Sequence, residues 1–91
     1  MAIKSVLACI EGKVQGVWYR RWTFNTAKEL GLDGWVMNMA DGSVEALFCG
    51  EESLVNDMLA RCYDGPTFAR VQNITTKTAA IPKEAGFNIS Q

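Results

Sequence analysis

Histidine is absent from these 91 residues, and with it every reaction that needs an imidazole as acid, base or ligand. Ser-His-Asp and Cys-His triads are excluded, so any chemistry here works without them. Cysteine is sparse: Cys9, Cys49 and Cys62 form no CxxC pair, which argues against a metal site and for zinc-free chemistry. No apolar run approaches the length that spans a bilayer, and the short run at residues 6–10 lacks the long apolar region and cleavage pattern of a secretory signal. The expectation is a cytoplasmic protein with no membrane partner. A basic block is missing too, since nine Lys and Arg against ten Asp and Glu leave a formal charge of −1. Nucleic-acid binding draws on a basic face, and none is legible. Repeats, low-complexity tracts and linkers are all lacking. The length and the 48% apolar content suit one domain over residues 1–91 with a modest core.

What is present alternates between two periodicities. Residues 3–11 place Val6, Ala8 and Ile10 on one face, predicting a strand buried on one side. Residues 21–30 put Thr23, Ala27 and Leu30 on one helical face, and Gly31-Leu32 reads as a glycine C-cap with its apolar partner. Strands are predicted over 34–39 and 43–49, joined at Ala40-Asp41-Gly42, with Val44, Ala46 and Phe48 facing the core. A second helix over 51–63 carries Leu54, Val55, Met58, Leu59 and Cys62 on its apolar face and stops at Gly65-Pro66. A strand over 67–76 and a short one holding Phe87 and Ile89 follow. The order gives an α+β fold: a ferredoxin-like βαββαβ sandwich, its antiparallel sheet carrying two helices on one face and an extra short edge strand.

One run carries most of the chemistry: Gly12-Lys13-Val14-Gln15-Gly16-Val17-Trp18-Tyr19-Arg20. It links a strand to a helix, and main-chain N–H groups at such a junction can surround a tetrahedral anion. The Arg20 guanidinium adds a bidentate grip on phosphate oxygens, and Lys13 and Arg21 flank it. A cation at the positive end of a helix is electrostatically misplaced unless a bound anion accompanies it. Taken singly, Arg20 reads as a solvated arginine, Gly12 and Gly16 as turn residues, and Gln15 with the valines as loop-shaping. Asn38 alone reads as a hairpin residue. In a split βαβ sheet, however, the first two strands run parallel, which brings Asn38 to the same end as the cradle. Its amide both donates and accepts, as holding a water requires. Asp41 and Glu45 read as hairpin and solvated-strand residues rather than as an acid–base pair. Among Trp18, Trp22 and Phe24, some pack into the core while one lines the rim of the cradle.

Two other readings compete with an enzyme. An anion-binding or regulatory module with this fold would share the cradle but lack turnover. An RNA-binding module would share the element order, yet needs aromatic and basic residues on the central strands. The exposed sheet face instead offers Leu7, Cys9, Glu11, Glu45 and Leu47. Cys9 and Cys49 share that face about three residues out of register, roughly 10 Å apart, so free thiols are expected.

The run at 12–20 resembles the first signature of the acylphosphatase family. Gly34-Trp35-Val36-Met37-Asn38, followed by Asp41-Gly42-Ser43-Val44-Glu45, resembles the second. Thr23, Ala27, Leu30-Gly31-Leu32 and Gly65-Pro66 fit as well, so the resemblance covers nearly the whole chain. It implies hydrolysis of the carboxyl–phosphate bond of a small acyl phosphate, without metal or cofactor. Arg20 and the loop Gln15, Gly16, Val17, Trp18, Tyr19 and Arg20 would bind the phosphoryl group, and Asn38 would orient water. Inorganic phosphate and sulfate are the expected site ligands, and a monomer is the expected state. Tyr19 stands where phenylalanine is commoner in the family, and Met37 where a basic residue is frequent. The first change asks for a partner for the hydroxyl, and the second implies a weaker local attraction for anions.

Overall fold

A computed structural model describes residues 2–90 of the protein. Strand β1 (Ile3–Lys13) alternates as its sequence dictates, burying Val6, Ala8 and Ile10. Helix α1 (Tyr19–Glu29) begins two residues earlier than its apolar spacing suggests and buries Tyr19, Thr23 and Ala27. It closes in a Schellman arrangement: Leu32 N–H donates to Ala27 at 2.9 Å and Gly31 N–H to Lys28 at 3.0 Å. Strands β2 (Asp33–Asn38) and β3 (Val44–Glu51) form the central hairpin. In its turn the Asp41 carboxylate accepts from the Ser43 hydroxyl at 2.6 Å and the Ser43 N–H at 2.9 Å. Helix α2 (Glu52–Cys62) buries Val55, Met58 and Cys62, with Leu54 and Leu59 at the margin of the core. Strands β4 (Arg70–Thr78) and β5 (Phe87–Ile89) complete the chain.

The sheet order is β4-β1-β3-β2-β5. Because β3 pairs antiparallel with both β1 and β2, those two strands run parallel and their following loops emerge at the same end. Both helices contribute to one apolar core on the Val6–Ala8–Ile10 face, where Val36, Val44, Ala46 and Phe48 join them. Complete burial of side chains such as Ile10, Phe48 and Met58 stabilises the fold by about 1.5–3 kcal/mol each. This is the ferredoxin-like α+β sandwich read from the element order.

The sheet differs from the expected antiparallel one in a single respect: it is mixed. β5 pairs parallel with β2, matching Gly34 to Phe87 and Val36 to Ile89. The cause is the connection over residues 79–86, which crosses from the β4 edge to the opposite edge and delivers β5 at the end where β2 starts. Ala79 N–H donates to the Ser5 carbonyl, the Ser5 hydroxyl donates to the Ala80 carbonyl, and Gly86 N–H donates to the Asp33 carboxylate. The face opposite the helices is less open than its sequence suggests: Ser5 is buried under this end, and Leu47 and Cys49 are buried on the same face. The register also corrects the cysteine offset. Cys9 lies opposite Glu45 and Cys49 opposite Ser5, four residues apart rather than three, and all three cysteines are free thiols. Among the described residues no helix is long and apolar enough to cross a membrane.

Candidate active site

The glycine at position 12 does something other than turn the chain. Gly12 belongs to β1, opposite Val71, just past an irregularity in the β1–β4 pairing. A Cβ there would stand 2.1 Å from the Arg70 carbonyl oxygen, so only a hydrogen lets the two strands approach. Beyond Lys13 the chain leaves the sheet, and Val14 and Val17 plug into the core to fix the loop between them. Gly16 and Trp18 take positive φ values of 73° and 68°. Tyr19 then enters α1 fully buried, its hydroxyl donating to the Cys62 carbonyl at 2.6 Å. Cys62 is the last residue of α2, where carbonyls lack intrahelical partners, so the hydroxyl caps that helix. Burial, reinforced by the Cys62 thiol, raises the Tyr19 hydroxyl pKa above its ordinary value.

Trp18 occupies the N-cap position of α1 without any side-chain cap, and the first turn holds no acidic residue. The first helical hydrogen bond runs from Trp22 N–H to the Trp18 carbonyl at 3.0 Å. The N–H groups of Tyr19, Arg20 and Arg21 are thus left without intrahelical acceptors, at the positive end of the helix dipole.

Gln15 joins this loop to the hairpin. Its side-chain Nε2 donates to the carbonyls of Met39 at 2.8 Å and Ser43 at 2.9 Å. The residue before Met39 is Asn38, the last of β2, and among the described residues no hydrogen bond engages its amide. Between loop, helix start and hairpin lies a cavity of about 480 Å³. Its polar side is Arg20, Arg21 and Asn38; its apolar side is Val14, Trp18, Tyr19 and Ile89; Gly16 completes it. Among the described residues, Arg20 and Arg21 line it and no acidic side chain does, a lining whose charge suits an anion. Among the described residues the Arg20 guanidinium makes one long contact, 3.5 Å to the Ser90 carbonyl, and Arg21 lies over the Phe24 ring at 5.3 Å.

Several residues expected near the cradle are placed elsewhere. Lys13 lines a separate depression with Glu11, Asp41 and Gln72, because it falls on the sheet face away from the helices. The side chains of Gln15 and Val17 are used elsewhere; one spends its amide on the hairpin and the other is core. Asp41 stays with the turn, where the Ser43 hydroxyl and then the Ser43 N–H hold its carboxyl below the usual value. Glu45 faces Cys9 and Met37 on the opposite side of the sheet. Of the three aromatics, Trp22 packs on Tyr19 at 5.4 Å and Phe24 sits under Arg21 and Lys28, leaving Trp18 at the rim. Ile89 was not legible as a cavity residue, because β5 reaches the site only through the crossover. Among the described residues no group of three His, Cys, Asp or Glu side chains could hold a metal ion.

Comparison with known proteins identifies the family. The acylphosphatase family model matches residues 6–89. An acylphosphatase of Rhodospirillum rubrum is 55% identical over 86 residues, covering 94% of each chain. Among solved structures, an acylphosphatase from Coxiella burnetii superposes with a TM-score of 0.92 at 31% identity, covering 97% of this chain and 93% of that one. The acylphosphatase of Bacillus subtilis gives 0.93 at 27% identity, covering 99% and 100%. Sequence, fold and full-length coverage agree, and the chain belongs to the acylphosphatase family.

Proposed function

We propose that acyl phosphate hydrolysis, the reaction of this family, takes place in the cavity between the loop and the hairpin. Arg20 and the main-chain N–H groups of residues 15–20 bind the phosphoryl group, and Asn38 orients the attacking water. One observation carries this reading: Arg20 and Asn38, from separate elements, line one cavity that has no acidic side chain among the described residues and lies beside the uncapped start of α1.

An acyl phosphate is an activated anhydride whose carboxylate leaves without protonation. The protein's contribution is then positioning and charge stabilisation, the terms that dominate phosphoryl transfer. Water attacks phosphorus as the bond between phosphorus and the acyl oxygen breaks, and the carboxylate departs with the electron pair. One water proton stays on the attacking oxygen and the other passes to a phosphoryl oxygen, giving the carboxylate and dihydrogen phosphate. An amide is a poor base, so Asn38 aims the water and the substrate takes the proton. The guanidinium and N–H donors hold the equatorial oxygens, where charge is redistributed in the transition state.

The test is release of phosphate from acetyl phosphate and benzoyl phosphate by the wild type, Arg20→Ala and Asn38→Ala. Both variants should fold and lose most turnover. Near-wild-type turnover in either would remove that residue from its assigned role.

A further inference from the structure

Resting on the reading of the cavity just given, the geometry points to Trp18 as the residue that selects the acyl group: we propose that its indole stacks on planar aromatic acyl chains and favours aroyl phosphates over short aliphatic ones. Nothing local asks for tryptophan there. The backbone is left-handed, at φ 68° and ψ 19°, a conformation that glycine or asparagine adopts far more readily. The position is the N-cap of α1, where Ser, Thr, Asp or Asn would satisfy an N–H and the indole does not. Packing does not explain it either: the side chain is 77% exposed, while Trp22 and Phe24 nearby are engaged with neighbours.

What the position does offer is the mouth of the cavity. Val14 and Tyr19 line it but are buried to within 1% of complete, so they shape the wall. Trp18 and the half-buried Ile89 are the apolar surfaces left for a ligand to touch. With the phosphoryl group held by Arg20 and the loop amides, the acyl chain extends toward the remaining apolar side. A flat indole face there suits a flat ring, through offset or tilted aromatic contact.

The measurement is kcat and KM for benzoyl phosphate and acetyl phosphate with wild type, Trp18→Gly and Trp18→Phe. It is paired with competitive inhibition by phenylphosphonate and methylphosphonate, which do not turn over. One aromatic contact corresponds to roughly 3- to 10-fold in binding. Trp18→Gly should lower the benzoyl-to-acetyl ratio of kcat/KM by that factor, mainly through KM, and lower the phenyl-to-methyl preference of the inhibitors in parallel. Trp18→Phe should keep most of both preferences. An unchanged ratio in Trp18→Gly, or an equal loss on both substrates, would overturn the proposal, the second outcome assigning Trp18 to loop geometry alone. Failure of the underlying site is separately visible, since Arg20→Ala would then hydrolyse acetyl phosphate as well as wild type.

Discussion

Gln15 and Met39, twenty-four positions apart, are joined by a 2.8 Å hydrogen bond from side-chain amide to main-chain carbonyl. A second bond from the same nitrogen reaches Ser43 at 2.9 Å. Both acceptors are carbonyls, so the amide has one workable orientation and uses both its hydrogens. The bond spans the two sides of the cavity and sets the hairpin carrying Asn38 against the loop carrying Gly16 and Trp18.

Removing this tie should affect turnover more than binding. In Gln15→Ala the phosphoryl site persists while the position of Asn38 relaxes, so kcat should fall about 10-fold with a smaller change in KM; misplacement of a positioning group by an ångström can cost even more. Gln15→Glu should be worse than alanine, because a carboxylate would face two carbonyl oxygens with no hydrogen to give them. Steady-state kinetics on acetyl phosphate measure both, and an unchanged kcat in either variant would refute the positioning role.

For Arg20 and Asn38 the expected losses differ in kind. Deleting one preorganised donor to a developing charge costs about 2.7–4 kcal/mol, or 10²–10³ in kcat. Arg20→Ala should lose at least that much and also weaken binding, since the charge that holds the phosphoryl group goes with it. Asn38→Ala should lose kcat with KM nearly preserved. Arg20→Lys should recover only part of the loss, because an ammonium lacks the planar fork of a guanidinium.

Inorganic phosphate and sulfate should compete with substrate. They match the phosphoryl end of the ligand and can take the unpaired N–H groups at the start of α1. Inhibition constants for each anion should rise in Arg20→Ala. Turnover indifferent to high concentrations of both anions would count against the cradle.

High pH should destabilise the fold through two buried groups. Burial pushes the Cys62 thiol up to about 12, and burial likewise raises the Tyr19 hydroxyl. Both are bound more tightly to their protons in the folded state than in the unfolded one. Their contribution is therefore complete below the unfolded values, about 8.5 for cysteine and 10 for tyrosine, and is lost as pH rises above them. The thermal midpoint should decline from about pH 8.5 and more steeply above about 10. Tyr19→Phe should remove the steeper part while lowering stability near neutrality by about 1–2 kcal/mol, from the lost cap on the Cys62 carbonyl. A thermal midpoint flat from pH 7 to 11 in the wild type would contradict this account.

The element order, the core face of β1 and the glycine cap of α1 were legible because each is written in a local period or a local turn. The meeting of Arg20 and Asn38 was legible for a different reason: parallel first and second strands follow from the topology, and topology places loop ends. Four features escaped. The direction of β5 and the entry of Ile89 depend on where a crossover lands, which no local pattern encodes. Gly12 reads as a turn residue, yet it marks an irregular pairing with a strand nearly sixty residues away. Gln15 lies in a loop without periodicity, so its direction could not be inferred from spacing. The burial of Ser5 comes with the residue 79–86 segment, whose Ala80 carbonyl takes its hydroxyl, rather than from a pattern in its own strand.

The two ends of the cavity are held with unequal firmness. Val14, Val17 and Tyr19 lock the loop side into the core, whereas Ile89 sits on an edge strand paired over three residues. Short edge elements of this kind open locally at a fraction of the free energy of global unfolding. On the proposed assignment, the wall that meets the phosphoryl group is rigid while the Ile89 side of the acyl wall can yield, a division of tolerance built into which strand supplies which wall.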